Sequence, residues 1–224
     1  TIDDDHSSAS ILKDISFDLN NNEILGLSGV SGSGKSMTLK SIIRLFEHLK
    51  VRLEGEVLYS LDQTPVNLLT IDANDLSRLR KSHISYLFQH SSNILNPGQT
   101  VGQQMMVYYR GEGRAQAAAL QLLNDVELIP AQRFFDSYSH QLSGGQIQRV
   151  LIAISLINNP RALLADEPTG NLDADLAVKF MYLFEALNQW GTTILFATHD
   201  QQLIEKFDYP TLKLRYGKIV QANN

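Results

Sequence analysis

Gly29-Val30-Ser31-Gly32-Ser33-Gly34-Lys35-Ser36 sets glycines, a lysine and a closing hydroxyl at the spacing G-x-x-x-x-G-K-[ST]. Residues of these types in this order suit a polyphosphate. Glycines let backbone N–H groups turn inward around phosphate oxygens, and a helix starting at the lysine points the positive end of its dipole at them. Lys35 would neutralise β- and γ-phosphate charge, and the Ser36 hydroxyl would coordinate Mg²⁺. The expected nucleotide-binding residues here are Gly29, Ser31, Gly32, Ser33, Gly34, Lys35, Ser36 and Met37. The surroundings give the pattern its meaning. Glu23-Ile24-Leu25-Gly26-Leu27-Ser28 is a short apolar strand running into the loop, and Leu39, Ile42, Ile43 and Phe46 follow it at helical spacing.

Such a loop alone does not separate kinases, GTPases and ATPases. A second signal is Arg161-Ala162-Leu163-Leu164-Ala165-Asp166-Glu167, an apolar strand ending in two acids. Lying beside the phosphate-loop strand, it would bring Asp166 to Mg²⁺ and Glu167 to an attacking water, where a positioned carboxylate contributes about 10²–10⁴ in rate. Without the glycine loop, two acids at a strand end would read as a solvated turn.

The chain that must position these groups has 224 residues, of which 43% are hydrophobic and 19% charged, enough for a sizeable globular core. The absence of cysteine excludes disulfides, thiolate zinc sites, iron–sulfur clusters and a cysteine nucleophile, and fits a reducing compartment. A net charge of -5 argues against nucleic acid as a general partner, because that binding needs a positive field. The longest apolar runs, such as residues 150–157, fall well short of the roughly 18–20 residues that span a bilayer. The start Thr1-Ile2-Asp3-Asp4-Asp5 lacks an initiator Met and a signal peptide, and reads as a trimmed, cytoplasmic piece.

Ile15, Phe17 and Leu19 alternate with polar residues as a half-buried strand does, and Asn20-Asn21-Asn22 reads as a turn. Residues 55–59 and 84–88 read as strands, separated by a polar stretch over 72–81. Residues 99–158 are rich in Gln, Ala and Leu with helical spacing, which predicts a helical insertion. Apolar strands return at 162–165 and 193–197, with a helix over 174–189 between them. Buried strands alternating with helices predict a mainly parallel sheet covered on both faces, an α/β fold.

Leu142-Ser143-Gly144-Gly145-Gln146 precedes an apolar helix over 147–157. With this stretch the chain resembles the ATPases of ABC transporters, whose defining signature is LSGGQ and whose other motifs follow in the same order along almost the whole chain. The resemblance implies a P-loop NTPase, RecA-like core over 1–90 and 159–224, a helical subdomain over 91–158, and an antiparallel β portion near the N-terminus. It implies ATP and Mg²⁺ as ligands, bound between two such domains. Ser143, Gly144, Gly145 and Gln146 would form a second anion cradle at a helix N-terminus, meeting the nucleotide held by the opposite domain. Gln89 matches the glutamine that senses Mg²⁺ and water, and His199 the histidine that contacts the γ-phosphate. Asp173, in Asn171-Leu172-Asp173, matches the loop that crosses the dimer interface and also reads as a helix N-cap. The resemblance thus assigns catalysis to Glu167, His199 and Gln89, and the metal to Ser36, Gln89 and Asp166. Members usually stack adenine on an aromatic residue some thirty positions before the lysine, roughly. Nothing aromatic precedes Phe17, which reads as core; His6 lies nearer the expected place.

Three stretches resemble the ATPase subunits of oligopeptide, dipeptide and nickel importers: Ser36-Met37-Thr38; Phe88-Gln89-His90 leading to Leu95-Asn96-Pro97; and Tyr138-Ser139-His140-Gln141. Thr169-Gly170-Asn171-Leu172-Asp173 instead resembles the lipoprotein-release, macrolide-export and division-associated branch, and a soluble non-transport ATPase is a third class. The importer reading is preferred. It implies permease subunits, a second ATPase subunit, an extracytoplasmic solute-binding protein and a peripheral place on the cytoplasmic face of the inner membrane.

Overall fold

The structure, a computed structural model, describes residues 2–4, 7–46, 51–61, 64–88, 94–111 and 113–223. Gln89 and His6 lie outside them. In chain order the strands β1 (Ile2–Asp4) and β2 (Ser7–Ala9) form an antiparallel pair, followed by β3 (Ile24–Ser28) and α1 (Lys35–Ile42). Next come the antiparallel pair β4 (Leu58–Leu61) and β5 (Thr64–Asn67), α2 (Ala73–Ser82) and β6 (Ile84–Leu87). The helical stretch contains α3 (Val101–Tyr108), α4 (Ala115–Asp125), α5 (Ala131–Phe135) and α6 (Gly144–Leu156). The chain then returns to the sheet through β7 (Ala162–Asp166), α7 (Ala174–Gln189), β8 (Thr193–Thr198), α8 (Gln201–Phe207), β9 (Thr211–Arg215) and β10 (Lys218–Asn223).

The central sheet has the order β10-β9-β3-β8-β7-β6, parallel throughout except for β10 against β9. Alternation sends successive side chains to opposite faces. Ile24, Leu163, Ala165, Ile194 and Phe196 join the core formed with α4, α6 and α7. Leu25, Leu27, Leu164, Leu195 and Ala197 join Leu39 of α1 and Ile43, the residue just after it, on the other face. Both faces are therefore covered, as a parallel sheet requires.

The strand order corrects one expectation. β7 does not lie beside β3: β8 separates them, pairing Leu27 with Ala197 on one side and Asp166 with Ala197 on the other. β8 is buried from Ile194 to Thr198, so its apolar run suits the centre of the sheet. α1 packs over both β7 and β8, so the phosphate loop still reaches the end of β7.

Two further differences have local causes. Ile15, Phe17 and Leu19 do pack against the α1-side core, but residues 11–20 join no strand ladder. The polar stretch after residue 71 is the helix α2, capped by Asp72, whose side chain accepts from the N–H groups of Asn74 and Asp75. It buries only Leu76 and Leu79, too narrow a stripe to announce a helix. α7 starts at Asp173, whose carboxylate accepts from Leu176 N at 2.9 Å. Asp173→Ala should therefore cost about 1 kcal/mol and lower the melting temperature of the ligand-free protein by about 2–4 °C. An unchanged melting curve would mean that this cap contributes nothing. Among the described residues no helix is long and apolar enough to cross a membrane.

Candidate functional site

β3 ends at Ser28 and the loop turns at once. Gly29, Gly32 and Gly34 have φ of 151°, 75° and 111°, backbone that side-chain-bearing residues rarely adopt. At Gly29 there is no room either: a Cβ would lie 2.5 Å from the Leu214 carbonyl oxygen and 2.7 Å from Ser33 Oγ. α1 begins directly after Gly34 with no side-chain cap and no acid in its first turn, whereas α2, α3, α6 and α7 are each capped by a side chain. The first N–H groups of α1 therefore remain available to an anion. Ser33 Oγ in the same loop is buried with no hydrogen-bond partner.

Lys35 is buried. Its Nζ donates to Gly29 O at 2.8 Å and Val30 O at 3.4 Å, and lies 3.3 Å from Glu167 Oε1. Glu167 is buried too and sits at φ 48°, a left-handed conformation that costs an ordinary side chain energy and here turns the chain sharply at the end of β7. Its backbone N–H donates to Ala197 O at 2.9 Å. Its Oε2 accepts from the His199 backbone N at 3.2 Å and lies 2.8 Å from His199 Nδ1. A carboxylate can only accept, so Nδ1 carries the proton in this pair. Parallel pairing of β7 with β8 makes the contact, because it brings the chain ends after Asp166 and Thr198 to the same side of the sheet.

Asp166 holds the neighbouring position. Its Oδ1 accepts from Ser36 Oγ at 2.9 Å, and its Oδ2 from the Tyr86 hydroxyl at 3.2 Å. Burial pushes the Asp166 carboxyl above its ordinary pKa, and the charge on Glu167 adds to this; the Ser36 and Tyr86 hydrogen bonds and Lys40 pull the other way. Burial, then the Asp166 charge, pushes the Tyr86 hydroxyl up as well, so it remains a donor. Tyr86 has no counterpart among the residues singled out in the sequence. Its only signal there is a polar-tipped aromatic near the end of a strand, and its role depends on β6 pairing with β7, which places Tyr86 opposite Leu164.

The structure thus brings together Lys35, Ser36, Asp166, Glu167 and His199. Ser143, Gly144, Gly145 and Gln146 belong to a different surface. Among the described residues no hydrogen bond or ion pair joins them to that cluster. Ser143 caps α6, accepting from Gln146 N at 3.3 Å, while Gln146 Oε1 accepts from Ser143 N at 2.9 Å. This leaves the Ser143 hydroxyl hydrogen uncommitted. A Cβ on Gly145 would lie 3.4 Å from Asn171 O, so this corner abuts the loop before Asp173.

The profile of one family, described as ABC transporter, matches residues 12–170. The chain belongs to the ABC transporter family. An ATP-binding protein of Brucella abortus, provisionally named for peptide import, is 36% identical over 93% of this chain and 64% of its own length. A dipeptide transport ATP-binding protein of Lactococcus lactis is 33% identical over 94% of this chain and 61% of its length. A peptidoglycan transport ATP-binding protein of Agrobacterium fabrum is 35% identical over 93% and 39%. The chain therefore spans about 64% of the length of the first of these ABC relatives. Among solved structures, a dimeric bacterial ABC transporter cassette is 33% identical with a TM-score of 0.82, covering 96% of this chain and 90% of its own. The same cassette in a post-hydrolysis state bound to ADP and Pi gives 0.81, with the same identity and coverage.

Proposed function

We propose that this ABC chain is the ATP-binding and ATP-hydrolysing part of a peptide importer. Lys35, Ser36, Asp166, Glu167 and His199 converge at the carboxyl ends of the strands beside an uncapped helix N-terminus, and this convergence carries the reading. In it, residues 1–90 and 159–224 form the nucleotide-binding core and 91–158 the helical subdomain. Gly29, Ser31, Gly32, Ser33, Gly34, Lys35 and Met37 hold the phosphates. Glu167 takes a proton from the attacking water, with His199 beside it; Gln89, outside the described residues, is proposed to reach the same water. The names of the relatives favour peptides as cargo, and none of those named above mentions nickel.

Mg²⁺ suits the donors present. Ser36 Oγ and the Asp166 carboxylate are adjacent hard oxygens, and a buried carboxylate held above its ordinary pKa gains from a divalent partner. Among the described residues no three acidic, His or Cys side chains are grouped so as to hold a metal by themselves, so phosphate and water would have to complete the shell. Bound there, Mg²⁺ would neutralise phosphate charge. Tyr86 orients the Asp166 carboxylate toward that role. Tyr86→Phe should raise the Mg²⁺ concentration needed for half-maximal hydrolysis by about tenfold, with ATP binding in EDTA unchanged. An unchanged Mg²⁺ dependence would remove Tyr86 from the metal's support.

One chain holds a phosphate loop and, on another surface, a signature. A second such domain is proposed to supply Ser143, Gly144, Gly145 and Gln146 to the nucleotide held here, with Asp173 at the boundary. Permease subunits would anchor the pair peripherally at the cytoplasmic face of the membrane, and an extracytoplasmic binding protein would deliver the peptide. Reconstituting the chain with its permeases in liposomes tests the whole reading. Phosphate release should rise on adding peptide with binding protein; a rate indifferent to peptide would exclude peptide import.

A further inference from the structure

Gln148 is the most deeply buried polar side chain among the described residues, 0% exposed on α6 amid the core residues Ile147, Val150 and Leu151. An amide placed where an aliphatic side chain would pack costs free energy unless it is hydrogen-bonded. Its Nε2 donates to Pro168 O at 3.2 Å. A carbonyl only accepts, so the amide nitrogen must face it. Pro168 is buried and has no N–H, which leaves that carbonyl as its one backbone group to satisfy.

Pro168 directly follows Glu167. Glu167 sits at φ 48°, and the proline after it narrows its backbone further, so the turn that aims its carboxylate is strained. Such a conformation persists only where the surroundings over-determine it. On the sheet side the turn is tied by Glu167 N to Ala197 O at 2.9 Å. Within itself it is closed by Gly170 N donating to Glu167 O at 3.2 Å and Leu172 N to Thr169 O at 3.0 Å. From the helical side Gln148 holds it, and α6 is a firm anchor: 13 residues long, capped at Ser143 and packed into the core.

We infer that Gln148 is a positioning residue for hydrolysis: through the Pro168 carbonyl it fixes the turn from which Glu167 reaches the attacking water. This rests on the reading of Glu167 as the base. Lys35 and His199 also contact that carboxylate, but the same reading gives both of them to phosphate. Gln148 acts on the backbone instead and, fully buried, is out of reach of the nucleotide. Its effect belongs to the chemical step. Displacing a reacting group by about 1 Å can cost about 10²-fold in rate, so a slackened turn is expected to cost about tenfold.

Gln148→Met keeps the length of the side chain and removes the donor. It should lower kcat by about tenfold and leave KM for ATP within about twofold. In a Glu167→Gln chain the same substitution should change the residual rate, read in single turnover, by no more than about twofold, because the group being aimed is gone. A tenfold loss that persists in the Glu167→Gln chain would mean that Gln148 acts elsewhere. That result would overturn the assignment, as would a loss confined to KM or no loss at all. Gln148→Asn retains the amide but draws it back by one carbon, and should behave as the methionine variant does. If neither variant folds well enough to bind ATP, Gln148 is a structural residue and the assignment falls. Should Glu167→Gln alone hydrolyse ATP at the unsubstituted rate, the reading of Glu167 as base fails, and the positioning with it.

Discussion

Glu167→Gln is expected to keep MgATP bound and to slow its hydrolysis by about 10²–10⁴-fold. The side chain is nearly isosteric, and the groups around it stay in place: Lys35 retains its bonds to Gly29 O and Val30 O, and Ser36 retains Asp166. The phosphate cradle should therefore survive. The amide cannot accept a proton from water, and the carboxylate that the αL turn and the His199 pair hold at the end of β7 is gone. Retained nucleotide and released phosphate, measured in the same sample, give both halves of the prediction. Turnover close to that of the unsubstituted chain would remove Glu167 from the role of base.

Lys35→Ala should weaken ATP binding by about 10–150-fold, the range for losing a charged hydrogen bond. It should also destabilise the ligand-free fold, because Glu167 is 5% exposed and Lys35 is its lysine partner. Breaking a buried pair by removing one member costs about 3–5 kcal/mol, an upper bound here since His199 still contacts the carboxylate. The double variant Lys35→Ala with Glu167→Gln separates the two effects. Thermal unfolding should recover toward the unsubstituted value, because no unpaired charge remains, while ATP affinity should stay low. Melting as low as that of the single lysine variant would locate the instability in the loop instead of in the stranded carboxylate.

The parts of this site written as contiguous patterns could be read directly. Gly29 to Ser36 forms its loop because the glycine positions demand positive φ, and α7 occupies Ala174–Gln189 because its apolar period is clean and Asp173 caps it. What depends on pairing between distant strands could not be read in this way. The sequence does not reveal that β8 lies between β3 and β7, and Tyr86 reaches Asp166 only once β6 is set against β7. α2 carries no clear apolar stripe in the sequence, because polar residues dominate it and just two leucines are buried. The contact of the turn at Gly217 with Ser33 is more remote still, since a separation of 184 positions leaves no local clue to it.

The central claim is that one chain carries half of each of two nucleotide sites, the loop with Lys35 on one surface and the capped Ser143 corner on another. The rate of ATP hydrolysis per chain, measured against the concentration of the chain itself with Mg²⁺ and ATP saturating, tests it most directly. A rate per chain that climbs with concentration and then levels off is the expected result, because each site is completed by a second domain. A rate per chain that is constant from the lowest concentration upward, or no hydrolysis at any concentration, would contradict it.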